Sequence, residues 1–368
     1  MKFFPVILFC LLSIHGFAQN PVYIGTYTKT EGHVDGKADG IYLIHQISGT
    51  GALSEAVCVA EMINPSFVKA SPDGKNLYAV SELGPGDDES GFIHSFRIKG
   101  DNYLEEIGKI STESFAPCHI EIDQTGKYVF ASNYVGGVVM LYERDEQGIL
   151  LKRQKIRLEN AEASHPHSVS ISKDNQFAYI NDLGNNKVWI YNFDPESGRL
   201  SPNNQPFVKL EEGAGPRHFS FSKNEEFAYS INELNSSITV FQRDSLGGLH
   251  IVESYSSLPE NFDGKNFTAD IHMHPGGDFL YASNRGHNSI VAFQVDKKNG
   301  KLEFISHYST QGEFPRNFAI SPDGSFLYAA NQNSDNISIF RINKMNGKLS
   351  PHLEPLKVKT PVCIEFSE

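Results

Sequence analysis

The sequence predicts an all-β protein, a seven-bladed β-propeller of four-stranded antiparallel blades, and three observations lead there. A unit of about fifty residues recurs seven times along the 368-residue chain. Each unit is written in period-2 alternation broken by Gly, Asn, Asp and Pro clusters, and no stretch carries a capped 3.6-residue apolar period. One unit is divided between the two ends of the chain, as ring closure requires. A period near fifty means radial or solenoid repetition, and a repeat made only of strands favours the radial form.

The repeat is clearest at a turn flanked by two apolar strands, found at 66–83, 118–134, 167–183, 217–234, 269–286 and 316–333. Counted from the turn residues Ser71, Asp123, Ser172, Ser222, His274 and Ser321, the spacings are 52, 49, 50, 52 and 47. In the fourth of these segments Arg217–Ser222 alternates, Lys223–Glu226 turns, and Phe227–Ile231 returns. Ile238–Arg243 forms a third strand and His250–Ser257 a fourth. Third strands recur at Phe92–Ile98, Val138–Glu143, Val188–Phe193, Ile290–Val295 and Ile337–Ile342. At the ends, Val362–Phe366 supplies an innermost strand, and Val22–Thr28, Ile41–Ile47 and Leu53–Met62 supply the other three. Pairing the ends in one composite blade removes the open edges that such a sheet array would otherwise expose.

Residues 1–18 are predicted to be a signal peptide. Lys2 is the positive region, Phe3–Ile14 the apolar run and Gly16-Phe17-Ala18 the small-x-small cleavage site. The run is too short for a spanning helix and continues through Cys10, which argues against a lipid anchor there. The mature chain then begins near Gln19, residues 19–368 form one propeller domain, and the expected location is periplasmic or secreted. Cys58, Cys118 and Cys363 remain, an odd number without CxxC spacing, and are expected as small apolar residues on separate strands. A formal charge of −12 argues against nucleic-acid or anionic-membrane partners. An anionic ligand would need a local cluster of positive charge.

Aligned units give columns around the channel. The first-strand columns read Ser66, Cys118, His167, Arg217, Ala269, Arg316, Val362 and then Phe67, His119, Ser168, His218, Asp270, Asn317, Cys363. Proline precedes the first column in six of seven units. On the return strand, one column is aromatic throughout (Tyr78, Phe130, Tyr179, Tyr229, Tyr281, Tyr328, Tyr23) and another polar throughout (Ser81, Asn133, Asp182, Asn232, Asn284, Asn331, Thr26). A third varies: Glu82, Tyr134, Leu183, Glu233, Arg285, Gln332, Tyr27. A repeated position has a structural task, whereas a position that differs by blade is free for chemistry. The varying columns bring His119, His167, His218, Arg217, Arg285, Arg316, Glu82, Glu233 and Asp270 to one mouth. Guanidinium groups bind carboxylate or phosphate through paired hydrogen bonds, and the histidines and carboxylates can move protons. The competing reading is that the arginines only pair with Glu82, Glu233 and Asp270 to hold blades together. His165/His167 and His272/His274 have the i, i+2 spacing of a strand metal pair. But Pro166 interrupts the first pair and His274 falls at the far turn, so no metal and no cofactor is expected.

The segments Tyr23-Ile24-Gly25-Thr26-Tyr27-Thr28, Asn64-Pro65-Ser66-Phe67, Gly215-Pro216-Arg217-His218, Asn232-Glu233-Leu234, His274-Pro275-Gly276, Ala282-Ser283-Asn284-Arg285-Gly286-His287 and Pro315-Arg316-Asn317 resemble the seven-bladed propeller lactonases. That family includes a bacterial type of 6-phosphogluconolactonase and the fungal carboxymuconate lactonizing enzyme, and the resemblance spans essentially the mature chain. It implies lactone chemistry without an obligatory metal. Carried over motif by motif, it implies a catalytic set of His167, Arg217, Glu233 and Arg285, with His119, His218, Arg316, Glu82 and Asp270 left as candidate substrate-binding residues. Glu233 or His167 would deprotonate water, Arg217 and Arg285 would stabilise the oxyanion, and Arg316 would hold an anionic substituent. The expected partner is a small anionic lactone. Two alternatives stay open: a lactone-forming cycloisomerase and a non-catalytic binding propeller. An export signal sits awkwardly with a cytosolic phosphorylated sugar, so the lactone itself is left undetermined.

Overall fold

The structure is a computed structural model that describes residues 19–86 and 90–367; the expected signal peptide lies outside the described residues. Among the described residues there are seven four-stranded antiparallel sheets, one two-stranded hairpin and no helix. The composite blade runs, from the channel outward, Pro361–Phe366, Gln19–Thr26, Gly40–Ile47, Val57–Glu61. The other six blades occupy 68–111, 115–157, 166–209, 216–256, 267–309 and 315–357, each in simple sequence order. The outer strand of the composite blade is shorter than expected. The turn after Ile47 leaves Leu53 with a single bridge to Gln46, and the ladder resumes only at Val57.

Alternation becomes packing between neighbouring blades. Tyr229 and Ile231 of one blade lie in a cluster with Ile271, Leu280 and Ala282 of the next, all buried. Full burial of such aliphatic side chains contributes about 1.5–3 kcal/mol each. The aromatic column adds a directed contact. The hydroxyls of Tyr78, Tyr179, Tyr229, Tyr281 and Tyr328 donate to the carbonyls of Gly148, Gly247, Gly300, Gly347 and Gly51, at 2.8–3.1 Å. Each of these glycines has positive φ in a turn of the following blade. Tyr23 reaches the carbonyl of Asn102 in the same way. The ring is thus latched from blade to blade. The polar column has its structural task in bonding loops: Asn284 Nδ2 donates to Ser257 O at 2.9 Å and Asn331 Nδ2 to Thr310 O at 3.2 Å.

One irregularity positions the site. The ladder slips by one residue at Cys118, His167, Arg217 and Arg316, each just after its proline, and again in blade 267–309 between Thr268 and Ile271. Strict alternation would send neighbouring residues to opposite faces, and a bulge re-aims one of them. Both first-strand columns can therefore face the channel. Ala116 and Phe314, with φ of 50° and 63°, lead into two of these bulges through a left-handed residue before proline. Thr360, with φ of 41°, does the same at the slip of the composite blade, and Asn64 takes this conformation, with φ of 45°, before Pro65.

Candidate active site at the channel mouth

A cavity of about 450 Å³ opens at the end of the channel where the bulges lie. Glu82, His167, Glu233, Arg285 and Arg316 line it, with Tyr134 and Gln332 from the same return-strand column as Glu233. Arg217, His119, His218 and Asp270 are not in its wall; they lie buried in the channel. The nine candidate residues thus separate into a wall and a layer packed around the channel.

Glu233 is the centre of the wall. Its Oε2 lies 2.9 Å from Arg217 Nε and 2.9 Å from Arg285 Nη2. Arg285 is fixed further by the carbonyls of Phe267 and Thr268, at 3.2 and 3.0 Å, and lies against the Phe314 ring. Burial raises the Glu233 carboxyl, but Arg285, Arg217 and Arg316 outweigh it and hold the pKa below its ordinary value. Glu233 is therefore a carboxylate held between two guanidinium groups. Arg217, only 2% exposed, sits against it on one side. Burial, together with Arg285 and Arg316, pushes the Arg217 pKa down to about 9, so it stays charged at neutral pH.

The His167 ring stands beside this pair with no hydrogen bond among the described residues, and its Nδ1 is buried without a partner. Burial, then Arg217, His218 and Arg316, hold its pKa well below 6.5, so the ring is neutral near pH 7. The edge of His167 packs against Tyr134 at 5.8 Å between centroids.

Arg316 differs from the other two arginines. It makes no ion pair and no hydrogen bond among the described residues; its guanidinium carbon lies 5.4 Å from the centre of the Tyr27 ring. Burial opposes its charge, yet Tyr27, Glu82 and Glu233 nearby raise its pKa. Glu82 Oε2 is already engaged by the hydroxyls of Tyr27 and Ser66. The reading of the arginines as blade-to-blade pairing thus holds for Arg285 with Glu233. Arg217 pairs with Glu233 inside its own blade and reaches the next through the Ala269 carbonyl, and Arg316 makes no such pair among the described residues.

Part of the wall comes from outside the repeated units. The hairpin Thr30–Glu31/Val34–Asp35, with a two-residue Gly32-His33 turn, brings Glu31 and His33 to the cavity. Its signal was a glycine within the polar run Thr30–His33, and it occurs once, outside the repeat. Ala116 and Phe314, the left-handed residues before proline, also line the cavity.

The thiol of Cys118 lies in the wall as well, but burial raises its pKa strongly, which leaves it protonated and unsuited to attack. Cys58, Cys118 and Cys363 are all unpaired. The paired histidines are used separately. His165 Nδ1 contacts the Tyr134 carbonyl at 2.7 Å, His272 Nε2 contacts Asp270 at 2.8 Å, and His274 Nε2 contacts the Gly324 carbonyl at 2.9 Å. Among the described residues no group of three or more His, Cys, Asp or Glu is arranged to hold a metal ion.

With this geometry in hand, similarity to known proteins decides the family. The model of the family described as "Lactonase, 7-bladed beta-propeller" matches residues 21–366. The chain belongs to that family. A 6-phosphogluconolactonase of Formosa agariphila is 35% identical over 313 residues, 81% of this chain and 86% of that protein. One of Bacillus subtilis is 29% identical, over 80% of this chain and 83% of its own length. Among solved structures, a periplasmic gluconolactonase of Pseudomonas aeruginosa superimposes with a TM-score of 0.89 at 31% identity, covering 95% of this chain and 99% of that one. The general activity of this propeller lactonase is lactone hydrolysis.

Proposed function

We propose that this propeller lactonase hydrolyses a sugar-type lactone bearing an anionic substituent, in the cavity at the channel mouth. One observation carries the reading: the Arg316 guanidinium, which has no ion-pair partner among the described residues, opens on the same cavity as the neutral His167 ring and the Glu233–Arg285 pair. A cation with no ion-pair partner among the described residues is suited to bind a carboxylate or phosphate. His167 is the base. As a water oxygen bonds to the lactone carbonyl carbon, its proton passes to the free ring nitrogen of His167, and the carbonyl π pair moves onto the oxygen. Arg285, held rigidly by two backbone carbonyls, donates to that oxyanion. The oxyanion then collapses, the ring C–O bond breaks, and the leaving alkoxide takes the proton back from His167, giving the hydroxy acid. A histidine surrounded by arginines is a weak base alone. An anionic substrate seated on Arg316 offsets part of that charge and makes His167 more basic when substrate is present.

Arg217 has a different role from the oxyanion donor expected from the sequence. It lies outside the cavity wall and fixes Glu233, whose charge stabilises the protonated His167 in turn. The resemblance of the ring to a periplasmic gluconolactonase, together with the leader-like residues 1–18, supports action in the periplasm on an unphosphorylated or exported lactone.

The test is hydrolysis of glucono-1,5-lactone and 6-phosphoglucono-1,5-lactone by the mature protein, each against its spontaneous rate and with and without chelator. Acceleration that survives chelation is expected. Arg316→Ala should raise KM for the anionic lactone by about 10- to 100-fold, the weight of one charge-assisted contact, and leave kcat and the neutral lactone nearly unchanged. Equal KM values for both lactones in wild type and variant would remove Arg316 from substrate binding.

A further inference from the structure

The groups packed around the channel are joined to the wall by a continuous chain of contacts. Asp270 Oδ1 lies 2.7 Å from His218 Nδ1. A carboxylate accepts, so Nδ1 carries the proton and Nε2 of the same ring is left as an acceptor. Nε2 faces Arg217 Nη1 at 3.3 Å, which can donate only. Arg217 Nε then meets Glu233 Oε2 at 2.9 Å. The first two links are hydrogen bonds and the last is an ion pair; Asp270 can only accept and Arg217 only donate, so one tautomer of His218 satisfies both of its neighbours.

Asp270 is held for this task. Its backbone leaves the ladder: Thr268 pairs with Asn284 and Ile271 with Ala282, and the Asp270 N–H donates to Ser283 Oγ at 3.1 Å instead. Its second oxygen accepts from Asn317 Nδ2, from the Phe318 amide at 3.3 Å and from His272 Nε2 at 2.8 Å. The side chain of His272 is 43% exposed. The neighbouring carbonyl of Ala269 accepts from Arg217 Nη1, so the same bulge grips the arginine twice.

We infer that Asp270 and His218 are positioning residues that act on the lactonase site through Arg217, fixing the guanidinium that fixes Glu233. The inference rests on the reading of the wall proposed above, but its structural core, the coupling of Asp270 to Glu233 through one histidine tautomer, can be measured without turnover. Burial lowers the His218 pKa to about 4, so the ring keeps this single neutral form at working pH. No substrate contact is assigned to either residue.

Two measurements test it. In protein labelled with ¹⁵N-histidine, His218 should show a protonated Nδ1, an unprotonated Nε2 and a low-field Nδ1–H signal. Glu233→Gln, at a residue 17% exposed, should shift that signal although it lies two links away. A His218 signal that stays in place, or one from the opposite tautomer, overturns the inference whether or not any lactone is turned over. The second measurement is a double-mutant cycle on kcat. His218→Gln and Arg217→Lys should each lower kcat by about 10- to 100-fold with KM little changed, as misplacement of a reacting group does. The combined variant should be about as slow as the slower single variant. Losses that multiply would show independent action and overturn it. Wild-type protein that hydrolyses no lactone would defeat the proposed function and leave the spectroscopic result to decide this one.

Discussion

The latch ring and the channel mouth are built from the same return strands, yet they obey opposite rules. At the latch, a tyrosine recurs blade after blade and makes the same bond to a turn of the next blade. At the mouth, four residues further along the strand, the column reads Glu82, Tyr134, Leu183, Glu233, Arg285, Gln332 and Tyr27, and no two neighbouring blades agree. The exception at the latch is instructive. Blade 115–157 has Phe130 in the aromatic column, and Tyr128, two residues earlier, supplies a longer contact of 3.4 Å to the Glu196 carbonyl. The turn is still met, so the task is conserved within the molecule even where the residue is not. A ring of repeats needs one solution used around the ring for closure, and different residues in neighbouring blades around a single point for chemistry.

Changes at the mouth should therefore stop catalysis and leave the ring intact. The largest effect expected is from His167→Asn: kcat lower by ~10²–10⁴-fold, the usual contribution of a general base, with thermal unfolding close to wild type. A variant with near-normal kcat would remove His167 from proton transfer.

The mouth also has a pH signature that the latch lacks. His119, His167 and His218 are held neutral chiefly by burial, with pKa values below 6.5, that of His218 at about 4. Unfolded, each binds a proton near pH 6.5, so below that pH the unfolded state holds more protons and stability falls as pH falls. For His218 the loss runs from pH 6.5 to about 4, at about 1.4 kcal/mol per pH unit. The latch tyrosines go the other way: burial raises their pKa, and they stay protonated throughout this window. Thermal unfolding followed from pH 7 to pH 5 should show the acid loss in wild type and a shallower slope in His119→Gln. Equal slopes would mean that His119 takes up its proton in the folded state too.

Much of this was legible in the sequence because it is repeated. Seven aligned copies expose the aromatic and polar columns, and the composite blade follows from the strands left over at the two ends. Depth in the channel was not legible. His119 and His167 stand in adjacent columns, and only the bulge at each first-column residue decides that His167 reaches the cavity while His119 packs against Phe67 and His218. Nor could columns show that Arg217 and Arg285 share one carboxylate oxygen while Arg316 has none among the described residues. The hairpin that carries His33 was missed for the opposite reason: a feature present once has no copies to align.

At the latch the expected effect is smaller and confined to stability. Tyr229→Phe removes one hydroxyl and leaves the Gly300 carbonyl without that donor. Loss of about 1 kcal/mol is expected, the net value of one such bond, with kcat unchanged. A change in kcat instead would mean that blade spacing at the latch sets the geometry of the mouth, and the two regions would no longer be independent.

The smallest effect probes where the two regions meet, at the left-handed residues before proline. Ala116 has φ of 50°, with its amide bonded to the Leu83 carbonyl at 2.7 Å, and it lines the cavity. The conformation is costly for a residue with a Cβ, by ~1 kcal/mol or more, and free for glycine. Ala116→Gly relieves that cost but gives the unfolded chain more freedom, worth ~0.5–1 kcal/mol in the opposite direction. The two nearly cancel, so stability should rise by a few tenths of a kcal/mol at most. Ala228, buried within the strand Phe227–Asn232, has no such strain to relieve, and Ala228→Gly should lower stability by ~0.5–1 kcal/mol or more. The sign is what discriminates. Equal losses at both positions would show that the bend before proline is held by the proline and the Leu83 bond alone, with no strain stored where the chain turns into the mouth.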